Sequence, residues 1–142
     1  MNPMRPILLV EDNPMDVELT LRAFAKGHLA NPVEVARDGE EAMQRIDGWE
    51  RGELPPLVVL LDLKLPKVDG LEVLRRIKAH PRLRSIPVVV LTTSSEDSDM
   101  RAAYQLGANS YIVKPVSFDN FMDVAAQIEL YWGVLNNTLE NP

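Results

Sequence analysis

Residues 60–70 read LLDLKLPKVDG. An apolar run closes on a carboxylate, Asp62, and is followed by Leu-Lys-Leu-Pro and then Asp69-Gly70, a helix-start pair. The run Leu57 to Leu61 is apolar throughout, as a strand covered by helices on both faces should be. An ionised aspartate is seldom fully buried without a partner. Asp62 must therefore sit just past the strand in solvent, or other parts of the chain must compensate it.

Working outward, the same unit recurs. Ile7 to Val10, Val33 to Ala36, Val88 to Leu91 and Tyr111 to Val113 are further short apolar runs, and a helical pattern follows each of the five. Asn13-Pro14 is an N-cap and first-turn pair, after which Val17, Leu21 and Phe24 share one face up to about Gly27. Asp38-Gly39 opens a second helix with Ala42, Ile46 and Trp49 on one face, Trp49 reading as core. The third starts near Asp69, carries Leu71, Leu74 and Ile77, and ends at His80-Pro81, because a residue before proline avoids the helical region. A fourth begins within Ser94 to Asp97, carries Met100, Ala103 and Tyr104, and stops near Gly107. The fifth follows Ser117, with Phe121, Val124, Ala125, Ile128, Trp132 and Leu135 on one stripe.

Strict strand–helix alternation implies a parallel sheet built by right-handed crossovers. The expected fold is an α/β, flavodoxin-like three-layer sandwich with strand order 2-1-3-4-5 and five helices. The 142 residues suit one domain, with a core over about residues 5–130, a fifth helix running past the sheet and a frayed tail. Asp47 to Pro56 reads as the longest irregular connection. The chain has no cysteine, which excludes thiolate metal sites and disulfides and suits a reducing cytoplasm. No stretch reaches the roughly 20 apolar residues of a membrane span, and no signal peptide or anchor is expected. A net charge of −6 disfavours direct nucleic-acid binding.

In such sheets ligands bind beyond the carboxyl ends of the strands. There the chain places Glu11-Asp12 after strand 1, Asp62 after strand 3, Thr92-Thr93 after strand 4 and Lys114-Pro115 after strand 5. Strands 1 and 3 are neighbours in the expected order, so three carboxylates face one another. Like charges about 4 Å apart repel by roughly 4 kcal/mol per pair at an effective dielectric near 20, so the cluster needs a cation. Its donors are all oxygens, which indicates a hard ion, Mg²⁺ or Mn²⁺ rather than a caged Ca²⁺. Thr92 and Lys114 add the hydroxyl and ammonium that stabilise a phosphoryl group. A carboxylate can accept that group as an acyl phosphate, and Asp62 lies at the centre.

With these elements in order, LLVEDN, LLDLKLPKVDG, VVLTTS and ANSYIVKP, the chain resembles the receiver domain of two-component response regulators over roughly residues 5–130. The resemblance implies that Asp62 accepts a phosphoryl group from a histidine kinase's phosphohistidine. It implies Mg²⁺ bound by Asp12, by Glu11 directly or through water, by Asp62 and by the backbone carbonyl of Lys64. Lys114, joined to Pro115 by a cis peptide, would pair with the phosphoryl oxygens. Thr92 would move toward them, and Tyr111 would follow from an exposed to an inward rotamer, switching the surface of helix 4, strand 5 and helix 5.

The long second loop and the continuation YWGVLNN are similar to stand-alone regulators paired with bacterial and cyanobacterial phytochromes. That likeness implies a phytochrome kinase as partner and a homodimer, with Tyr131, Trp132, Val134 and Leu135 supplying apolar surface. No residues remain for an effector domain, so the output is expected to be a protein contact without DNA binding or enzymatic turnover. Thr93 stands where many receivers have Ala or Gly. Together with Lys64 and Ser94, at positions that tune attacking water in the family, it implies slow self-dephosphorylation.

Blander readings accompany these. Taken singly, Glu11-Asp12 could stabilise a helix N-terminus, Thr92 could cap a strand end, Lys114-Pro115 could form a surface turn and Tyr111 could be a half-buried core aromatic. Trp132 could pack within the domain or in a dimer seam. His28 and His80 read as solvated helix ends. Two rivals differ in kind: a monomeric chemotaxis-type regulator, and an aspartyl-phosphate phosphohydrolase. The latter usually needs a second acid two residues after its nucleophile, and Lys64 stands there. A nucleotide- or flavin-binding module would need a glycine-rich loop after strand 1, where the sequence is EDNPMD.

Overall fold

A computed structural model describes residues 5–27, 31–114 and 117–127. Five strands, β1 (Ile7–Val10), β2 (Val33–Ala36), β3 (Val58–Leu61), β4 (Val88–Thr92) and β5 (Ser110–Val113), alternate with helices. These are α1 (Pro14–Lys26), α2 (Gly39–Glu50), α3 (Gly70–Ala79), α4 (Asp97–Leu106) and the helical residues 118–127, the described part of α5. The sheet order is β2-β1-β3-β4-β5 with every pairing parallel, the expected flavodoxin-like arrangement.

Alternation along the strands divides the core into two layers. Leu8, Val10, Val59, Leu61, Val88 and Val90 point to one face, where they meet Ala42, Ile46 and Trp49 of α2, Val73, Leu74 and Ile77 of α3 and Ala103 of α4. Ile7, Leu9, Val58, Leu60 and Leu91 point to the other, against Val17, Ala23 and Phe24 of α1 and Phe121, Val124 and Ala125 of α5. Helices on both faces explain why β1 and β3 carry no polar residue.

Local sequence sets the helix starts. The Asn13 side chain accepts from the amides of Met15 and Asp16, and Asp38 and Asp69 cap α2 and α3 in the same way. Ser117 accepts from Asn120, consistent with the helix expected after it. Gly107 ends α4 in the left-handed region at φ 107°.

Two expectations need correction. The connection after α2 is shorter than Asp47 to Pro56, because α2 continues through Glu50 and only residues 51–57 are irregular. The helix persists across Gly48 because Trp49 must reach the core one turn after Ile46, and the helical break falls at Gly52, φ 105°. In α4 only Ala103 of the expected stripe is buried; Tyr104 is exposed, its ring centroid 6.4 Å from that of Tyr111.

Register positions the polar strand ends. Val10 pairs with Leu61, so the residues that follow, Glu11 and Asp62, leave the sheet side by side. Thr92 pairs with Val113, which brings Lys114 to the same edge, and the Lys114 amide donates to the Thr92 carbonyl at 2.7 Å.

Candidate functional site

Glu11 and Asp62 are buried, at 3% and 5% exposure, and Asp12 is exposed beside them. One carboxylate oxygen from each of the three lies within 4.8 Å of the other two. What compensates this charge is Lys114. Its Nζ, on a buried side chain, donates to Glu11 Oε1 at 2.5 Å, Asp16 Oδ2 at 3.0 Å and Asp62 Oδ2 at 3.2 Å. The buried aspartate of the opening stretch thus has an ammonium in contact, together with the Lys64 amide, which donates to Asp62 Oδ1 at 3.1 Å.

One ammonium does not neutralise so many acids. Burial pushes the Glu11 carboxyl up to about 7, with the Asp62 charge adding to the rise and the bond from Lys114 only partly offsetting it. Burial alone would lower Lys114, but its bonds to Glu11 and Asp16 and the charge of Asp62 raise it above the ordinary lysine value. The cluster keeps an excess of negative charge at an edge open through Asp12. Hard oxygen donors, residual charge and a solvated entrance fit Mg²⁺ or Mn²⁺ retaining several waters.

Thr92 is fully buried and its Oγ1 accepts from the Ser94 amide at 3.3 Å. Tyr111 is half-buried, packs on the core and donates its hydroxyl to the Ser94 carbonyl at 2.9 Å, linking β5 to the loop after β4. Glu11, Asp12, Asp62, Thr92 and Lys114 therefore occupy one edge of the sheet, with Lys64 beside them. The proposed dimer residues Tyr131, Trp132, Val134 and Leu135, and Pro115, lie outside the described residues.

Sequence reasoning missed three participants. Asp16 lies in the first turn of α1, where an acid reads as a complement to the helix dipole; that turn faces the strand ends, so its carboxylate reaches Lys114. Asp99, in the first turn of α4, accepts from Ser94 Oγ at 2.6 Å and pairs with Lys64 Nζ at 3.2 Å. The Ser94 bond, with Lys64 assisting, holds the Asp99 carboxyl below its ordinary value. Gly70 is more than a helix start: a Cβ there would lie 2.3 Å from the Asp62 carbonyl oxygen and 2.5 Å from Leu63 Cα. Only glycine lets α3 begin against the loop that carries Asp62.

The parallel sheet thus carries an acid–lysine–threonine site at its carboxyl edge. The family model of the response regulator receiver domain matches residues 7–126, and the chain belongs to that family. Among curated relatives it is 49% identical to the probable methanogenesis regulatory protein FilR2 of Methanothrix harundinacea, covering 89% of this chain and 82% of that protein. It is 40% identical to response regulator Rcp1 of Synechocystis, covering 92% and 90%. The Mn²⁺-bound structure of Rcp1 superposes with a TM-score of 0.78 at 38% identity, covering 90% of this chain and 94% of that one. The phosphorylated cyanobacterial phytochrome response regulator RcpA gives 0.79 at 39% identity, covering 92% and 94%. The bacteriophytochrome response regulator AtBRR gives 0.72 at 54% identity, covering 89% and 93%. Among the described residues no helix is long and apolar enough to cross a membrane.

Proposed function

We propose that Asp62 is the phosphoacceptor of a signalling switch fed by a sensor histidine kinase. The observation that carries this reading is the contact of the buried Asp62 carboxylate with Lys114 Nζ at 3.2 Å, beside Glu11 and Asp12. An Asp62 oxygen attacks phosphorus; the P–N bond of phosphohistidine breaks, the imidazole leaves with its electron pair and takes a proton, and an acyl phosphate forms. The Lys64 amide fixes the rotamer of the attacking carboxylate. Lys114, already against Asp62, pairs with a phosphoryl oxygen, and the Thr92 hydroxyl turns toward another. Glu11, Asp12, Asp62 and the Lys64 carbonyl would hold Mg²⁺ or Mn²⁺, which supplies positive charge against the transferring group.

Thr92 and Tyr111 form the switch. Ser94 touches both, so a movement of Thr92 toward the phosphoryl group is transmitted to the Tyr111 hydroxyl. The output is a protein contact on α4, β5 and α5, a homodimer that also uses Tyr131, Trp132, Val134 and Leu135; exposed Tyr104 and Val113 lie on the described part of that face. The phytochrome response regulators among its relatives support a phytochrome kinase as partner, in the cytoplasm. The receiver domain itself, with a net charge of −6 over the chain, is poorly suited to direct contact with nucleic acid.

The test is incubation with acetyl phosphate and Mg²⁺, read by intact mass. The wild type should gain one phosphoryl group and Asp62→Asn none; a wild type that gains nothing, or an Asp62→Asn variant that gains as much, removes the reading.

A further inference from the structure

The connection between β3 and α3 carries Asp62 and Lys64 at its start, yet it is fastened from outside the acidic site. Among the described residues Lys67 alone of the non-glycines has a positive φ, 70°. The Val68 amide donates to the Pro66 carbonyl at 2.8 Å across it, so Lys67 is the centre of the strained form of γ-turn. Such a conformation persists only where the surroundings over-determine it. Here the surroundings are the first turn of α2. The Gly39 amide donates to the same Pro66 carbonyl at 3.2 Å, and a Cβ on Gly39 would run into the Val68 carbonyl. Lys67 Nζ pairs with Asp38 Oδ2 at 3.4 Å and Glu40 Oε2 at 3.3 Å. The Val68 side chain rests on the core, and the Gly70 amide closes the connection by donating to the Leu63 carbonyl at 2.9 Å.

We propose that Gly39 is a positioning residue for the metal. By admitting the β3–α3 connection against the start of α2, it locks the turn at Lys67 and, through Pro66, the segment from Asp62 to Lys64 before any ion binds. The proposal rests on the reading that Asp62 and the Lys64 carbonyl hold Mg²⁺ or Mn²⁺. A small divalent ion demands near-ideal octahedral geometry, so a carbonyl two residues from a fixed point spares the cost of ordering it on binding. Gly39 touches neither Asp62 nor Lys64 and acts only through Pro66 and Val68. The ion pairs are secondary, because the Lys67 side chain is 59% exposed and that of Glu40 55%, and water weakens such pairs.

A plain alternative is that Gly39 only fits α2 against its neighbour, so that replacing it costs stability and nothing else. The two roles separate in metal affinity, measured by calorimetric titration with Mg²⁺ at a temperature where circular dichroism shows every variant folded. Gly39→Ala should bind Mg²⁺ at least about tenfold more weakly, the loss typical when a group that orients a metal ligand is disturbed. Its Lys64 amide, which in the wild type is held by Asp62 Oδ1, should also exchange faster in the metal-free protein. Gly52→Ala strains a different connection, at φ 105° with open space around it, and should keep wild-type affinity. Lys67→Ala, which removes the ion pairs but not the turn, should stay within about two-fold of wild type.

Should Gly39→Ala fold poorly, Val68→Ala is read in its place: it loosens the connection from the core without adding an atom, and affinity should fall in the same direction. Wild-type affinity and Lys64 exchange in the variant read, or an equal loss in Gly52→Ala, overturns the positioning role and leaves the acidic site as the metal site. A loss in Lys67→Ala as large as in Gly39→Ala assigns the clamp to the ion pairs and overturns the role of Gly39. A wild type that binds neither Mg²⁺ nor Mn²⁺ overturns the metal reading as well.

Discussion

Two clusters built from the same kinds of charge sit at opposite edges of the sheet. Helices run antiparallel to the strands here, so the C-terminal ends of α2 and α3 lie near the strands' N-terminal edge, away from the acidic site. There Arg76 of α3 reaches Asp47 and Glu50 of α2, each at 2.5 Å. At the other edge Lys114 reaches Glu11, Asp16 and Asp62. Contact distances are alike, but water is not: the Asp47 side chain is 49% exposed, against 4% for Glu11. In the first cluster solvent shares the charge and the residues can be lost singly. In the second every charge depends on its partners, which is the condition under which adding or removing an ion or a phosphoryl group changes the structure.

The sharpest way to break the comparison is Lys114→Met. Removing the ammonium that contacts the buried carboxylates costs about 3–5 kcal/mol of stability in the metal-free protein, because uncompensated buried charge remains. Urea unfolding should show a lower midpoint, with much of the loss recovered on adding Mg²⁺, which binds only the folded acids. A Lys114→Met protein as stable as wild type without Mg²⁺ would mean that the lysine is not the counter-ion of the cluster.

A smaller effect follows from Glu11. In the folded, metal-free chain its carboxyl keeps a proton up to about 7, whereas the unfolded chain releases it near the ordinary value of 4.5. Between those values the folded state binds more protons than the unfolded state. The contribution of this group to stability is therefore complete below pH 4.5 and lost as pH rises through about 7. Mg²⁺ needs the ionised form, so its affinity should climb by up to about tenfold per pH unit in this window and level off above it. Calorimetric titration in two buffers of different ionisation heat would detect the released proton. A flat affinity from pH 5.5 to 8 would show that Glu11 is ionised throughout.

Much of this contrast was legible in the sequence, and the part that was not has a physical reason. Asp62, Glu11, Asp12, Thr92 and Lys114 could be placed because each follows an apolar strand, and parallel register carries all strand ends to one edge. Asp16 and Asp99 could not, since an acid in a helix's first turn is explained equally well by the dipole, and only the packing angle of the helix decides what it touches. Gly70 was read as a helix start, which it is, but its requirement comes from a loop several residues earlier. The connection after α2 was begun too early, at Asp47, although Trp49 reads as part of the helix face; packing of Trp49 beside Ile46 carries the helix through Glu50.

Arg76→Ala is the mildest perturbation and the one that defines the other edge. The last turn of α2 contains no basic residue of its own, so Arg76 supplies from α3 the positive charge that a helix C-terminus favours, and its Nη1 also donates to the Met43 carbonyl at 3.3 Å. Because Asp47 and Glu50 regain water when it is removed, the loss should be only about 1 kcal/mol, read as a shifted urea midpoint with unchanged slope. Most of it should vanish in 1 M salt, where screening has already weakened the pair, whereas the Lys114→Met loss should persist because buried charges are little screened. A cost for Arg76→Ala as large and as salt-independent as that for Lys114→Met would erase the distinction, and burial would then not be what sets the acidic site apart.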